Sequence, residues 1–468
     1  MAPTDLLPVK RRSFAITRKP HHSPDRISRP ESSDAPAIAG GAPIRSFDRP
    51  LIFGSPVLGE AEIASVSDCL RSRWIGVGAR VEKFQHEFAR YKGAPYAAAV
   101  SSGTAAIHLA LVALGIGAGD EVIAPTMTFC STVHSIVHTG AKPALVDCQS
   151  STFNIDPDAI KRRITSRTKA IIVVHMCGRC CDMEPILKIA RKHNLRVIED
   201  CAHAIESNYH GNPAGLMGDI GCFSFYPTKN MTTGDGGMVI TRSKRLFQRV
   251  KTLSLHGITA DAWTRYVGGS SGYKVLEAGF KYNMTDIAAA LGLPQLEGIE
   301  ARWARREKIW RLYADRLKEF PLILPPPPEP DTRHAYHLYT PLLVPHTLKV
   351  PREKVIAALR AENILAGIHF VPVHLHPYYR QRFRFRPSDF PNASMVGMRT
   401  LSLPLTPAMS GDDVSDVCTA LQRIFRYFAA STGVHGRMRE ARGTARKRGA
   451  RGVPARQASK ESGSGRKG

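Results

Sequence analysis

From residue 51 onward, short apolar runs alternate with stretches of helical periodicity, and that alternation narrows the fold more than any other feature. Residues 96–100, 121–125, 144–147, 170–174, 195–199, 221–225 and 237–241 read as strands. Runs so continuously apolar suit a mainly parallel sheet covered on both faces. Helices are expected over 104–114, 285–296 and, as a long charged segment, 302–320. The prolines at 325–328 mark the entry to a smaller domain, with a strand at 337–344 and helices at 352–362 and 410–428. Ser410 is a plausible N-cap for the last helix, with Asp412 and Asp413 in its first turn. The expected architecture is α/β: a large domain over 51–300, a small α+β domain over 301–430, and flanking extensions at 1–50 and 431–468.

A chain of 468 residues is long enough for two packed domains, and 43% hydrophobic with 22% charged residues is ordinary for a soluble enzyme. The uncharged stretch 93–119 contains Ser101, Ser102, Thr104 and His108, so strand, turn and helix explain it better than a membrane span. No cleavable signal is evident, and a cytoplasmic location is expected. Nine scattered cysteines read as reduced thiols. The Cys177-Gly178-Arg179-Cys180 spacing lacks a second ligand pair, so it reads as the loop after a buried strand, and no metal is expected. The formal charge of +25 gathers at the ends: residues 430–468 carry eleven Lys/Arg against two acids, residues 1–50 nine against five. Both ends lack apolar periodicity and read as disordered, with nucleic acid not the main partner.

The chemistry is carried by Lys229, in Ser224-Phe225-Tyr226-Pro227-Thr228-Lys229-Asn230, just ahead of the glycine-rich run at 233–237. In so apolar and aromatic a stretch an unpaired ammonium would be costly. Upstream, the strand at 195–199 delivers Asp200, followed by Cys201-Ala202-His203. A lysine able to form a Schiff base and an acid able to hold a pyridinium nitrogen are what pyridoxal 5'-phosphate chemistry requires. Asp200 lies where ligands sit in open α/β sheets, beyond a strand's carboxyl end, although a simple helix cap would look the same. Gly103 and Thr104 lie between a strand and a helix, so the amides there with the Thr104 hydroxyl could receive a phosphate.

These segments resemble the DegT/StrS-type sugar aminotransferases. The likeness rests on Ser101-Ser102-Gly103-Thr104-Ala105-Ala106, Glu199-Asp200-Cys201-Ala202-His203-Ala204, the Lys229 segment and Gly279-Phe280-Lys281-Tyr282-Asn283-Met284-Thr285-Asp286, in the family's order. The resemblance implies the fold-type-I architecture and a homodimer with shared active sites. It implies that His203 lies near the ring hydroxyl, Ser224 near the phosphate and Phe129 over the ring, and that His374 faces the sugar. Many relatives read Asn and Arg where this chain has Lys281 and Asn283, so which of the two reaches the neighbouring subunit's cofactor stays open. The implied reaction moves an amino group from glutamate or glutamine to a nucleotide-linked keto sugar, with a lean toward 4-keto sugars from residues 256–263 and 279–286. A keto-cyclitol branch stays open. The dehydratase branch replaces the lysine with histidine, which Lys229 contradicts. A regulatory role for the basic tail belongs to a different class.

Overall fold

The computed structural model describes residues 35–259, 263 and 272–429. Both basic extremities, and residues 260–262 of the segment behind the 4-keto lean, therefore lie outside the described residues. Two helices lead in, α1 (Glu60–Arg71) and α2 (Ala79–Lys92). Strand β1 (Tyr96–Val100) then passes into α3 (Gly103–Ala113), and β2 (Glu121–Pro125) into α4 (Cys130–His138). Next come β3 (Lys142–Val146), α5 (Pro157–Arg163), β4 (Thr168–Val174), α6 (Met183–Lys192) and β5 (Arg196–Asp200). A two-residue pair, β6 (Asn208–Tyr209) and β7 (Asn212–Pro213), precedes β8 (Ile220–Ser224), β9 (Gly237–Thr241) and α7 (Lys244–Ser254).

The main sheet has the order β1-β9-β8-β5-β4-β2-β3. Pairings from β8 through to β3 are parallel, whereas β9 runs antiparallel to both β8 and β1. Strands β2, β8 and β9 are buried along their whole length, as their continuous apolar sequences require. One face packs against α3, itself apolar nearly all round, and the other against an aromatic cluster of Phe84, Phe88, Phe223 and Phe225. The long helix Ile299–Arg316 and the closing helix Gly411–Tyr427 share a separate core containing Tyr313, Tyr339, Leu359 and Leu421. Ser410 caps the closing helix, accepting from the Asp413 amide at 3.1 Å while Asp413 accepts from the Ser410 amide at 2.8 Å.

Three expectations are corrected. The N-terminal extension is not irregular up to residue 50. The buried Glu362 carboxylate accepts from the amides of Ala37 and Ile44, each at 2.8 Å, and Arg45 pairs with Asp413 and Asp416 at 2.6 and 2.7 Å. Ile38 and Ile44 pack against the small-domain core. The small domain is also not one continuous stretch, because Val373, Tyr379, Phe390 and Val396 join the core of the large sheet. Finally, the strand expected over 337–344 shrinks to Leu342–Leu343. His337 and Leu338 instead donate their amides to the Cys177 carbonyl, so this apolar run stitches the two cores together as a loop.

Candidate active site

Lys229 follows β8 with Asp200, at the carboxyl end of β5, acting on it, and the start of α3 packs on the end of β8 at Ser224. The Lys229 amide donates to the Tyr226 carbonyl at 2.9 Å, closing a turn just beyond β8. Burial presses its amine down to about 8, against the pull of the Asp200 carboxylate. At pH 7 about a tenth of this amine is therefore unprotonated, far more than for an ordinary lysine, and that is the form that attacks a carbonyl.

Asp200 is 4% exposed at the end of β5. Its Oδ2 accepts from the Thr132 hydroxyl at 2.8 Å and its Oδ1 from the Ala202 amide at 3.1 Å. Because an ionised carboxylate only accepts, Thr132 must in turn accept from Thr128, 2.8 Å away. Burial pushes the Asp200 pKa up, opposed by the Thr132 and Ala202 bonds and by Lys229. A cationic ring nitrogen beside Asp200 would relieve that burial cost.

Three neutral imidazoles surround the lysine. His203 Nδ1 accepts from the Cys177 amide at 3.3 Å, which places its proton on Nε2. Cys177 reaches that position with a left-handed φ of 59°. The next residue, Gly178, has φ +99, and a Cβ there would come within 3.1 Å of the His203 carbonyl oxygen. His337 packs against His203 with ring centroids 4.4 Å apart and planes tilted by 36°. His369 lies under Phe53, centroids 5.1 Å apart, and Ser402 Oγ is 2.8 Å from its Nδ1. Burial and the Lys229 charge hold His203 well below the usual imidazole range and His369 at about 3.

Gly103 and Thr104 open α3, where Ser102 Oγ accepts from the Ala105 amide at 3.1 Å. The first amides of a helix lack intrahelical acceptors and so favour an anion. Ser224, at the end of β8, closes this start: a Cβ on Gly103 would stand 2.7 Å from the Ser224 Cβ. Phe129 is 56% exposed, with its ring centroid 5.7 Å from that of Phe370. Asn283 bridges Val100, and the Ser101 amide donates to the Tyr282 carbonyl, so this segment runs beside the same helix start. Asn283 Oδ1 is buried without a partner, whereas Lys281 is exposed. A partly neutral amine, a buried carboxylate, an N–H imidazole and an anion-receiving helix start together fit pyridoxal phosphate.

His374 requires a correction. It is 0% exposed, so it does not face a substrate. Its Nδ1 lies 2.8 Å from Thr126 Oγ1, and its Nε2 lies 2.9 Å from Ser394 Oγ. Ser394 donates onward to the Pro387 carbonyl, so it accepts from Nε2–H and the Thr126 hydroxyl donates to Nδ1. His369 occupies the position by the lysine instead. Sequence reasoning also missed Thr132, His337 and Phe53, whose only signal is proximity created by folding. Among the described residues His175, Glu199 and Cys201 lie close enough to suggest a metal. Glu199, however, already accepts from the amides of Gly215, Met217 and Gly218 and from His175 Nε2, which leaves no free ligand face.

A family model described as the DegT/DnrJ/EryC1/StrS aminotransferase family matches residues 56–422. The Bacillus subtilis spore coat polysaccharide biosynthesis protein SpsC is 45% identical over 378 residues, covering 80% of this chain and 97% of its own. An uncharacterized protein of Methanocaldococcus jannaschii is 46% identical over 370 residues, covering 79% and 96%. Spr1654 of Streptococcus pneumoniae, assigned as a sugar aminotransferase, has a solved PLP form that aligns with TM-score 0.76 and 30% identity. That alignment covers 81% of this chain and 99% of the other, and a PMP form aligns equally well. The chain belongs to the DegT/DnrJ/EryC1/StrS aminotransferase family and is a pyridoxal phosphate-dependent transaminase of the fold-type-I architecture.

Proposed function

We propose that this transaminase moves an amino group from glutamate or glutamine to the keto group of a nucleotide-linked sugar, a 4-keto sugar by preference, in polysaccharide biosynthesis. The observation that carries the reading is Lys229, an amine held at about 8 beside a buried carboxylate. When bound, the cofactor supplies an electron sink for the carbon that loses its proton. The chain's own residues do the rest. Lys229 tethers the cofactor and, once displaced, moves the proton between donor carbon and cofactor carbon. Asp200 keeps the ring nitrogen protonated, steadied by Thr132. His203 offers Nε2–H to the ring oxygen, and Phe129 covers the ring. The Gly103 and Thr104 amides and the Ser224 hydroxyl receive the phosphate. His369 and Phe53, beside the lysine, border the space left for the sugar.

A homodimer with shared sites is part of the proposal. Exposed Leu58, Ile63, Leu70 and Ile75 on and beside α1, with Val275 and Leu276, support a covered face. Of the two candidates for the cross-subunit contact, Asn283 is favoured by its unpartnered buried oxygen. No helix among the described residues is long and apolar enough to cross a membrane, and we place the enzyme in the cytoplasm. The likeness to a spore coat polysaccharide biosynthesis protein and to a sugar aminotransferase supports the substrate class. The test incubates the purified protein with UDP- and dTDP-linked keto sugars, keto-cyclitols, and glutamate or glutamine, read by mass spectrometry. A mass change confined to keto-cyclitols would overturn the nucleotide-sugar assignment.

A further inference from the structure

We infer that Glu206 is a positioning residue for the lysine site, acting through Asn230 on the proton of His337. The inference rests on Lys229 as the cofactor lysine. Asn230 follows Lys229 directly, so their Cα atoms are about 3.8 Å apart and whatever fixes one side chain steadies the other backbone. Its amide is saturated. Nδ2 donates to Glu206 Oε1 and Oε2 at 3.0 and 2.9 Å and to the Ala335 carbonyl at 2.8 Å. A carbonyl can only accept, so the NH2 end must face Ala335 and Glu206. Oδ1 is thereby turned to His337 Nδ1, 2.9 Å away, and must accept from it.

The consequence is a fixed tautomer. His337 carries its proton on Nδ1 and keeps a lone pair on Nε2, the reverse of His203, against which it packs. Burial, His203 and Lys229 hold His337 well below the usual imidazole range, so it stays neutral. The chain ends in charge. Glu206 is buried, and the cation that acts on it most is Arg306, equally buried, whose Nη1 donates to the carbonyls of His337 and Leu405 at 3.4 and 3.0 Å; Lys92, Arg302 and Arg333 also face it. Glu206 therefore balances Arg306 and aims Asn230 at once. Asp200, His203 and His369 are the other titratable groups around the lysine, and none of them bonds to this chain.

A glutamine at 206 can present its own NH2 to Asn230. It can as readily turn its Oε1 there, and because the Ala335 carbonyl keeps the NH2 of Asn230 in place, Asn230 still accepts from His337 Nδ1 but loses its charged anchor. The tautomer is read by long-range 1H–15N correlation on histidine-labelled protein without cofactor, which does not depend on the role of Lys229. Wild type should show His337 as Nδ1–H and neutral at pH 6. Finding it as Nε2–H or as an imidazolium would overturn the inference without any variant. Asn230→Leu, which removes the acceptor from Nδ1, should release it from the Nδ1–H form. In cofactor-loaded protein Glu206→Gln should lower the pH midpoint of the visible absorbance by about half a unit or more, because Arg306 loses its counter-charge. Glu362→Gln, a buried carboxylate in the other core, should leave that midpoint in place. Kcat should fall about tenfold with KM for the amino donor nearly unchanged, and Glu206→Gln with His337→Phe together should be no worse than His337→Phe alone. An unchanged tautomer in Asn230→Leu, an unchanged midpoint in Glu206→Gln, or additive losses in the pair, would overturn it. Failure of the lysine assignment would look different: Lys229→Ala would keep the wild-type visible absorbance.

Discussion

Asp200→Asn separates function from stability, because the same burial drives the two in opposite directions. In the protein without cofactor, Asp200 has its pKa raised, above all by desolvation. A carboxyl whose folded pKa is raised contributes stability at low pH that is lost as pH rises through the folded value. At pH 7 the ionised group is therefore a net cost to the fold, only partly offset by the Thr132 and Ala202 bonds at 2.8 and 3.1 Å. Asparagine has nearly the same shape, and the Thr132 hydroxyl can rotate to accept from its NH2. The cofactor-free variant should be as stable as wild type at pH 7 or slightly more so.

Turnover should respond in the other direction. A charge-assisted bond to the ring nitrogen is roughly twice as strong as a neutral one, and losing one preorganised group of this kind typically costs about 3–4 kcal/mol in the barrier. At about 1.4 kcal/mol per factor of ten, kcat should drop by about 100- to 1000-fold. The assay pairs thermal unfolding of cofactor-free protein with single-turnover kinetics of loaded protein, both at pH 7. Turnover within threefold of wild type, with cofactor bound, would reduce Asp200 to a cap at the end of β5. A large fall in melting temperature without cofactor would refute the electrostatic reasoning.

Capture of pyridoxal phosphate by cofactor-free protein should quicken as pH rises through about 8, because only the neutral Lys229 amine attacks; stopped-flow absorbance checks this, and borohydride reduction with peptide mapping should find the label on Lys229 alone. Thr132→Val should weaken cofactor affinity about tenfold and shift its acid loss to higher pH, since the hydroxyl is the largest influence lowering Asp200, whereas Thr132→Ser should retain both values in a fluorescence titration. Stability should fall on acidification from about pH 6.5 toward 4, since His374 stays neutral in the fold down to about 4 while the unfolded imidazole protonates near 6.5; His374→Asn should flatten that slope in urea melts and leave substrate KM unchanged. Removing residues 1–34 should leave melting unchanged, whereas removing 1–45 strips the Ala37 and Ile44 amides from Glu362 and Arg45 from Asp413, and should cost about 2–4 kcal/mol in a urea titration.

Lys229, Asp200 and the Gly103-Thr104 start were legible because each belongs to a local pattern that ends or begins an element. Periodicity locates strand ends, and strand ends locate ligands in an α/β sheet. The residues that tune the site were not legible. Asn230 meets Ala335 across 105 residues and Thr132 meets Asp200 across 68, and neither pair has a spacing that sequence can read. Segment 369–376 shows the limit sharply. It holds three histidines, and only closure of the small-domain segment onto β2 decides that His374 is buried against Thr126 while His369 stands by the lysine. The shortened strand fails for a related reason. Its apolar side chains are buried as expected, yet its amides are spent on the Cys177 loop, which has no strand-like signal.

The electrostatics of the site explain why so many polar groups are buried there together. A lysine near 8, a carboxyl with raised pKa and three imidazoles kept neutral form a set that is poorly satisfied alone. The lysine and carboxyl departures would be relieved by one incoming group that carries an aldehyde, a basic ring nitrogen and a phosphate. Lys229 would hold the aldehyde, Asp200 would pair with the protonated nitrogen, and the helix start at Gly103 would receive the phosphate. Preorganisation of this kind places its cost on the empty protein, where it appears as lost stability, and recovers it on binding. Structural carboxylates such as Glu199 contrast with this. Its pKa is lowered despite complete burial, because His175 and three backbone amides already satisfy it. Within the same strand, adjacent carboxylates thus differ: Glu199 is satisfied by the fold, and Asp200 keeps a burial cost that a cation could offset.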